Sequence, residues 1–233
     1  RRVEFWLAQQ LRGVASWYLH PEIHFDSISY VAPVGVKLTN FRLTAPDDQG
    51  VNHNFISAVE ATIQLARIPR SGEPVVIRHI NLLDPEVRLI ALSKEDARLV
   101  GFSRLWKSER PETSTEGASF EIRRLGASNG RVVYDPRIDR TTPLSIDQIN
   151  ADVILAESGE GLLSVDLEVR RDAVFDVLLT GVLDLESPAM RAGDLRINAD
   201  LDREDRSLLP PQLQVWLDRF GLEGRLVARI LGD

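Results

Sequence analysis

Beyond Pro21, apolar and polar residues alternate along the chain with a period of two. Val59, Ala61, Ile63 and Leu65 alternate with Glu60, Thr62 and Gln64. Leu163, Val165, Leu167 and Val169 alternate with Ser164, Asp166, Glu168 and Arg170, and Leu195, Ile197, Ala199 and Leu201 with Arg196, Asn198, Asp200 and Asp202. Successive side chains of a strand point to opposite faces. Each run therefore predicts a half-buried strand of an antiparallel sheet, dry on one face and wet on the other. Turn signals separate the runs at Pro33-Val34-Gly35, Pro46-Asp47-Asp48, Asp84-Pro85, Ser128-Asn129-Gly130 and Gly159-Glu160-Gly161.

One pattern is written twice. "VVIRHINLLDPEVRLI" (75–90) returns as "FEIRRLGASNGRVVYD" (120–135), with Ile122 in the place of Ile77, Arg123 of Arg78, Leu125 of Ile80 and Val132 of Val87. The turn signals inside each copy predict two similar hairpins, Asn129-Gly130 being the strongest such signal in the chain. Each copy also slips its phase once, from Ile77 to Ile80 and from Ile122 to Leu125. The same three-residue spacing recurs at Leu38 to Phe41, Ile56 to Val59 and Ile146 to Ile149. An uncorrected slip turns a strand's side chains to the wrong face, and a β-bulge absorbs it. Kinks are therefore expected near Thr39-Asn40, Arg78-His79 and Arg123-Arg124, in a sheet that curls.

The two ends read differently. "RRVEFWLAQQLRGVASWYLHPE" carries an apolar stripe at helical spacing and predicts an N-terminal amphipathic helix ended by Pro21. "SLLPPQLQVWLDRFGLEG" predicts a short second helix, with Gly221 at its C-terminal cap and alternation resuming over Leu222 to Ile230. Residues 107–118, "KSERPETSTEGA", are polar and without period, as a flexible linker is. The organisation expected is a helix and first unit over 1–106, that linker, and a second unit of the same sheet over 119–233.

Composition narrows the function classes. Lysine and arginine number 28 against 35 aspartates and glutamates; a net negative chain without a concentrated basic face is a poor partner for nucleic acid. The absence of cysteine excludes disulfides and thiolate metal sites. No stretch approaches the apolar length of a membrane span, but the chain opens on Arg1. A fragment is expected, preceded by a targeting or anchoring segment.

The search for chemistry returns little. His20 and His24 have helical ligand spacing, but Pro21 breaks the helix that would use it, and His79 fills the slot that Arg124 occupies in the repeat. There is no nucleophile elbow, phosphate-binding glycine loop or dinucleotide fingerprint. The carboxylates fall on turns or on the polar side of strands. No catalytic residue, metal site or cofactor is expected.

Counting layers decides more. About ten amphipathic strands face only two amphipathic helices, so either the sheet folds on itself as a sandwich or barrel, or it curls into an open trough that holds apolar ligands. Periodicity alone leaves both open.

The succession "YLHPEIHFDSISYVAPVGVKLTNFRLTAP", "ISAVEATIQLARIP" and "VVIRHINLLDPEVRLI" resembles the opening of AsmA-like proteins of bacterial envelopes. "FEIRRLGASNGRVVYDP" with "LSIDQINADVIL" is similar to a following unit of that family, and "LLPPQLQVWLDRFGLEGRLVARI" to a later helix, glycine and strand. The resemblance covers most of residues 18–230, though this chain is short and lacks the family's anchor. It implies a mainly β fold: a long, twisted, curled antiparallel sheet forming an open apolar groove, as in TamB and the bridge-like lipid transfer proteins. It further implies a periplasmic location, anchorage in the inner membrane, envelope protein partners and passage of phospholipid toward the outer membrane without catalysis. On that reading Val59, Ala61, Ile63, Leu65, Leu163, Val165, Leu167, Val169, Leu195, Ile197, Ala199 and Leu201 line the groove. The alternative is an envelope scaffold closed as a β-sandwich.

Overall fold

The computed structural model describes residues 19–67, 75–91, 98–102, 120–135, 143–159, 162–171, 175–184, 189–200, 215, 218–221 and 223–232. Among these, the period-two runs become strands: β1 (Glu22–His24), β2 (Ser27–Val31), β3 (Gly35–Pro46), β4 (Asn52–Leu65), β5 (Val75–Leu83), β6 (Glu86–Ile90), β7 (Phe120–Ile122), β8 (Arg124–Asp135), β9 (Leu144–Gly159), β10 (Leu162–Arg171), β11 (Phe175–Asp184), β12 (Ala189–Asp200) and β13 (Arg225–Leu231). All thirteen join one sheet. Its order is β1, β3, β4, β5, β8, β9, β10, β11, β12, β13, with β2 beside β3, β6 beside β4 and β8, and β7 beside β5. The fold is mainly β, as the alternation predicts.

The sheet is mixed, however, where a purely antiparallel one is expected. β5 runs parallel to β7 and β8, and β6 runs parallel to β8. The pairing follows the repeat: Val75 lies beside Phe120, Ile77 beside Ile122, Ile80 beside Leu125, Val87 beside Val132 and Ile90 beside Asp135. Each residue of the first copy thus lies next to its own counterpart in the second.

The two copies are not hairpins. A two-residue type I′ turn needs positive φ at both central positions. Here Asp84 (φ 48) is followed by a proline, whose ring forbids it, and Asn129 (φ 55) by Gly130, which is not left-handed. The pairing shows that the chain continues: β6 pairs with β4 and β8, not with β5, so it carries on the path of β5, and β8 passes through Asn129 unbroken. Gly130 serves close approach instead: a Cβ there would sit 3.2 Å from both the Ile149 carbonyl oxygen and the Pro85 ring.

The phase slips are absorbed in two ways. At Arg78 the register shifts, since Gln64 pairs with His79 and Leu65 with Ile77, leaving Arg78 as the extra residue of a bulge. The matching place in the second copy is the break at Arg123, between β7 and β8. Asn40 (φ 50) and Gln148 (φ 61) are left-handed, like Asp84 and Asn129. Asn40 involves no register shift, because Thr39 pairs with Glu60 and Phe41 with Ala58 on either side of it. Asparagine and aspartate reach this region at low cost, so β3 turns its phase at Asn40 without losing its neighbour, whereas the β8–β9 register shifts around Gly130, beside Asn129 and Gln148.

A packed core lies in the first part of the sheet. Leu43, Ala45, Phe55, Ile90 and Val100 form one buried cluster and Phe25, Ile28, Leu38 and Ala61 another, with Ile23 and Phe41 packed against both. The segment 98–102 folds back on this core. Leu99 bridges to Ala91, Val100 N–H donates to the Ile90 carbonyl at 2.8 Å, and Phe102 meets Phe55 edge-on at 5.0 Å between ring centroids. Near the C-terminus, Val215 and Asp218–Phe220 are helical, and Gly221 (φ 60) caps that turn. Of the predicted N-terminal helix ended by Pro21, residues 1–18 lie outside the described residues, as does the linker over 107–118, and Leu19 and His20 are not helical.

Candidate functional site

Residues paired across a sheet share a face, so the register shows where the predicted lining residues go. One row runs Ile28, Leu38, Ala61, Leu82, Ala127, Ala151, Val169, Val177, Ile197, Ala228. Its neighbour runs Tyr30, Val36, Ile63, Ile80, Leu125, Val153, Leu167, Leu179, Leu195, Ile230. Both cross from β2 to β13, and apart from the Tyr30 hydroxyl both are entirely apolar. Shorter rows flank them: Leu65, Ile77 and Ile122 on one side, Phe175, Ala199 and Leu226 on another.

The row between the two long ones points the other way and is polar from β2 to β10: Ser29, Lys37, Thr62, Asn81, Gly126, Asp152, Glu168. This second face carries ion pairs. Arg124 grips Asp152 through two 2.7 Å hydrogen bonds, which lower the carboxyl's pKa and raise that of the guanidinium. Asp194 accepts from Arg229 at 2.9 Å and from Arg196 at 2.8 Å, and the two guanidiniums pull its pKa down to about 2.

The apolar face changes character along its length. Its core residues lie between Phe25 and Ile149; beyond Ile149, no described apolar side chain is fully buried. β10, β11, β12 and β13 make their main contacts only with the strands beside them. Leu226 and Ile230 on β13 remain 48% and 58% exposed, and among the described residues β13 has a partner strand on one side only.

The predicted lining residues therefore do not all behave alike. Ala61, Ile63, Leu167, Val169, Leu195 and Ile197 fall in the two long rows. Leu163 and Val165 continue the same face of β10 by alternation, and Leu65 and Ala199 belong to the short rows. Val59 is 55% exposed. It borders a depression of about 290 Å³ together with Asp26, Asn40, Arg42 and Asp84, a largely polar setting. Leu201 lies outside the described residues.

Sequence reasoning overlooked the middle of the face, Ile80, Leu82, Leu125, Ala127, Ala151 and Val153. The offset between the repeats was the available signal, since it places Ile80 beside Leu125. It also overlooked Arg171, which alternation puts on the apolar face of β10 after Val169. Arg171 is only 6% exposed, and among the described residues its Nε has no hydrogen-bond partner.

His24 is a strand residue whose Nε2 lies 3.1 Å from Thr44 Oγ1, so the helical spacing with His20 has no helix to act on. Among the described residues no three histidine, aspartate or glutamate side chains gather as a metal ion would require. Comparison with family models, curated proteins and solved structures finds no match for this chain.

Proposed function

We propose that this chain is a non-catalytic lipid-binding segment of an AsmA-like envelope protein, anchored in the inner membrane and extending into the periplasm. In this reading it conducts phospholipid acyl chains between membranes along its apolar β-face. One observation carries the reading: two uninterrupted apolar rows cross ten strands, and beyond Ile149 no described apolar side chain on them is fully buried. Apolar surface of that extent calls for apolar cover. An acyl chain laid across the rows gains about 0.8 kcal/mol for each CH₂ removed from water, without any specific contact, while its head group stays wet. Chains held in this way can slide, because each row offers the next position the same surface.

The closed-scaffold alternative draws support from a different place. Val100 and Phe102 cover Phe55, so part of the first half is closed by the chain's own residues. That covering involves β3, β4 and β6, whereas the half-buried rows run on through β10–β13.

Native mass spectrometry with lipid extraction, on protein purified without detergent, tests the reading. Co-purifying phospholipid is expected, and Ile63→Asp or Val165→Asp should strip it. A soluble, lipid-free monomer would instead favour the scaffold.

A further inference from the structure

Arg171 is out of place. Val165, Leu167, Val169 and Arg171 share one face of β10, and across the strand pair Arg171 meets Phe175, not a carboxylate. Asn150 pairs with Arg170, so on the other side the buried Ile149 is the next residue of β9 alongside it. The arginines of the opposite face contrast with it. Arg124, Arg196 and Arg229 are each about half exposed, where water already solvates them, and each holds an aspartate. Neighbouring Arg170, on that same wet face, pairs with Glu168 and Asp176. Arg171 alone of these is withdrawn from water, and its Nε has no water-facing surface and no hydrogen-bond partner among the described residues.

A buried guanidinium without a counter-charge is costly, and such groups are normally paired. Resting on the lipid-binding reading above, we propose that the counter-charge is supplied by the ligand: Arg171 binds the phosphate of a phospholipid whose acyl chains lie along Val169, Leu167 and Val165. The planar guanidinium fork suits a phosphate oxyanion. The apolar run leading to Arg171 suits what is covalently attached to that phosphate. A free anion would satisfy the charge but leave the rows uncovered; a neutral lipid would do the reverse. The site would therefore fix one position and head-group direction on a face that elsewhere discriminates little.

The test compares phosphatidylglycerol with diacylglycerol of the same acyl chains, using competition against a fluorescent lipid on the full chain. Wild type is expected to bind phosphatidylglycerol roughly 10-fold or more tightly than diacylglycerol, the size of a charge-assisted contact. Arg171→Gln should remove that preference while leaving diacylglycerol binding unchanged, and Arg171→Lys should restore part of it. In the lipid-free protein, Arg171→Met should raise the melting temperature, because it replaces an unpaired buried charge with an apolar side chain of similar length. Equal binding of the two lipids by wild type, or equal losses for both in Arg171→Gln, would overturn the Arg171 assignment and leave the lipid reading standing. Binding of neither lipid would remove the lipid reading, and this inference with it.

Discussion

Asn129 Nδ2 donates a 2.6 Å hydrogen bond to Asp84 Oδ1. The two residues occupy equivalent places in the repeat, and both are left-handed. The backbone adds to the tie: Asp84 N–H donates to the Ser128 carbonyl at 3.0 Å, and Arg131 N–H to that of Pro85 at 2.7 Å. Two kinked strands thus bend at the same height and hold each other there.

Asn129→Ala should lower stability by about 1–2 kcal/mol, since it loses the hydrogen bond and leaves a Cβ residue unsupported in the left-handed region. Asn129→Gly should lose less, because glycine relieves the backbone term. Denaturant unfolding of the two variants measures the difference; identical losses would mean that the left-handed backbone contributes nothing.

The parallel join can be tested by cross-linking, because the chain has no cysteine of its own. Leu83 pairs with Ser128. Leu83→Cys combined with Ser128→Cys should form an intramolecular disulfide under mild oxidation, as neighbouring strand positions permit. Leu83→Cys combined with Asp135→Cys should not. Failure of the first pair to cross-link, or cross-linking of the second, would overturn the parallel register.

Asp194 makes stability depend on acidity. Hydrogen bonds from Arg229 and then Arg196 hold its folded pKa at about 2, below the unfolded value of about 4. A lowered carboxyl pKa gives stability that is complete above the unfolded value and is lost as pH falls through the folded one. Asp194→Asn should therefore be less stable than wild type at pH 5–7, with the gap closing toward pH 2. Urea midpoints across that range measure it; a gap constant with pH would assign the loss to shape, not charge.

Phe55 is fully buried, and the ring lies where a Cβ on Gly101 (φ 77) would come within 2.5 Å of it. Phe55→Ala should cost about 3–5 kcal/mol through the cavity it leaves. Gly101→Ala should also destabilise, through both the clash and the backbone angle. Thermal unfolding reads both, and a neutral Gly101→Ala would mean that segment 98–102 does not press on the ring.

The face was more legible in the sequence than the topology. Period two at Ala61 and Ile63, at Leu163 to Val169 and at Leu195 to Ala199 identified strands and which of their side chains share a side, because alternation is a local consequence of backbone geometry. The slips at Asn40, Arg78 and Arg123 were legible for the same reason. Direction was not. Asp84-Pro85 and Asn129-Gly130 contain residue types that serve both a reversing turn and a single left-handed kink, and only the pairing of the flanking strands separates them. Arg171 was hidden because a charged residue ending an alternating run reads as surface until its burial is known.

Ten strands abreast, spaced at about 4.8 Å, carry the two apolar rows along a contour of about 43 Å. That is close to the 40–45 Å of roughly a whole bilayer with its head groups. The contour depends on how many strands stand side by side and on no individual residue. Because β13 has a partner strand on one side only among the described residues, strands added there would extend the path by their own breadth and leave every existing pair as it is. Reach in such a sheet is a matter of counting.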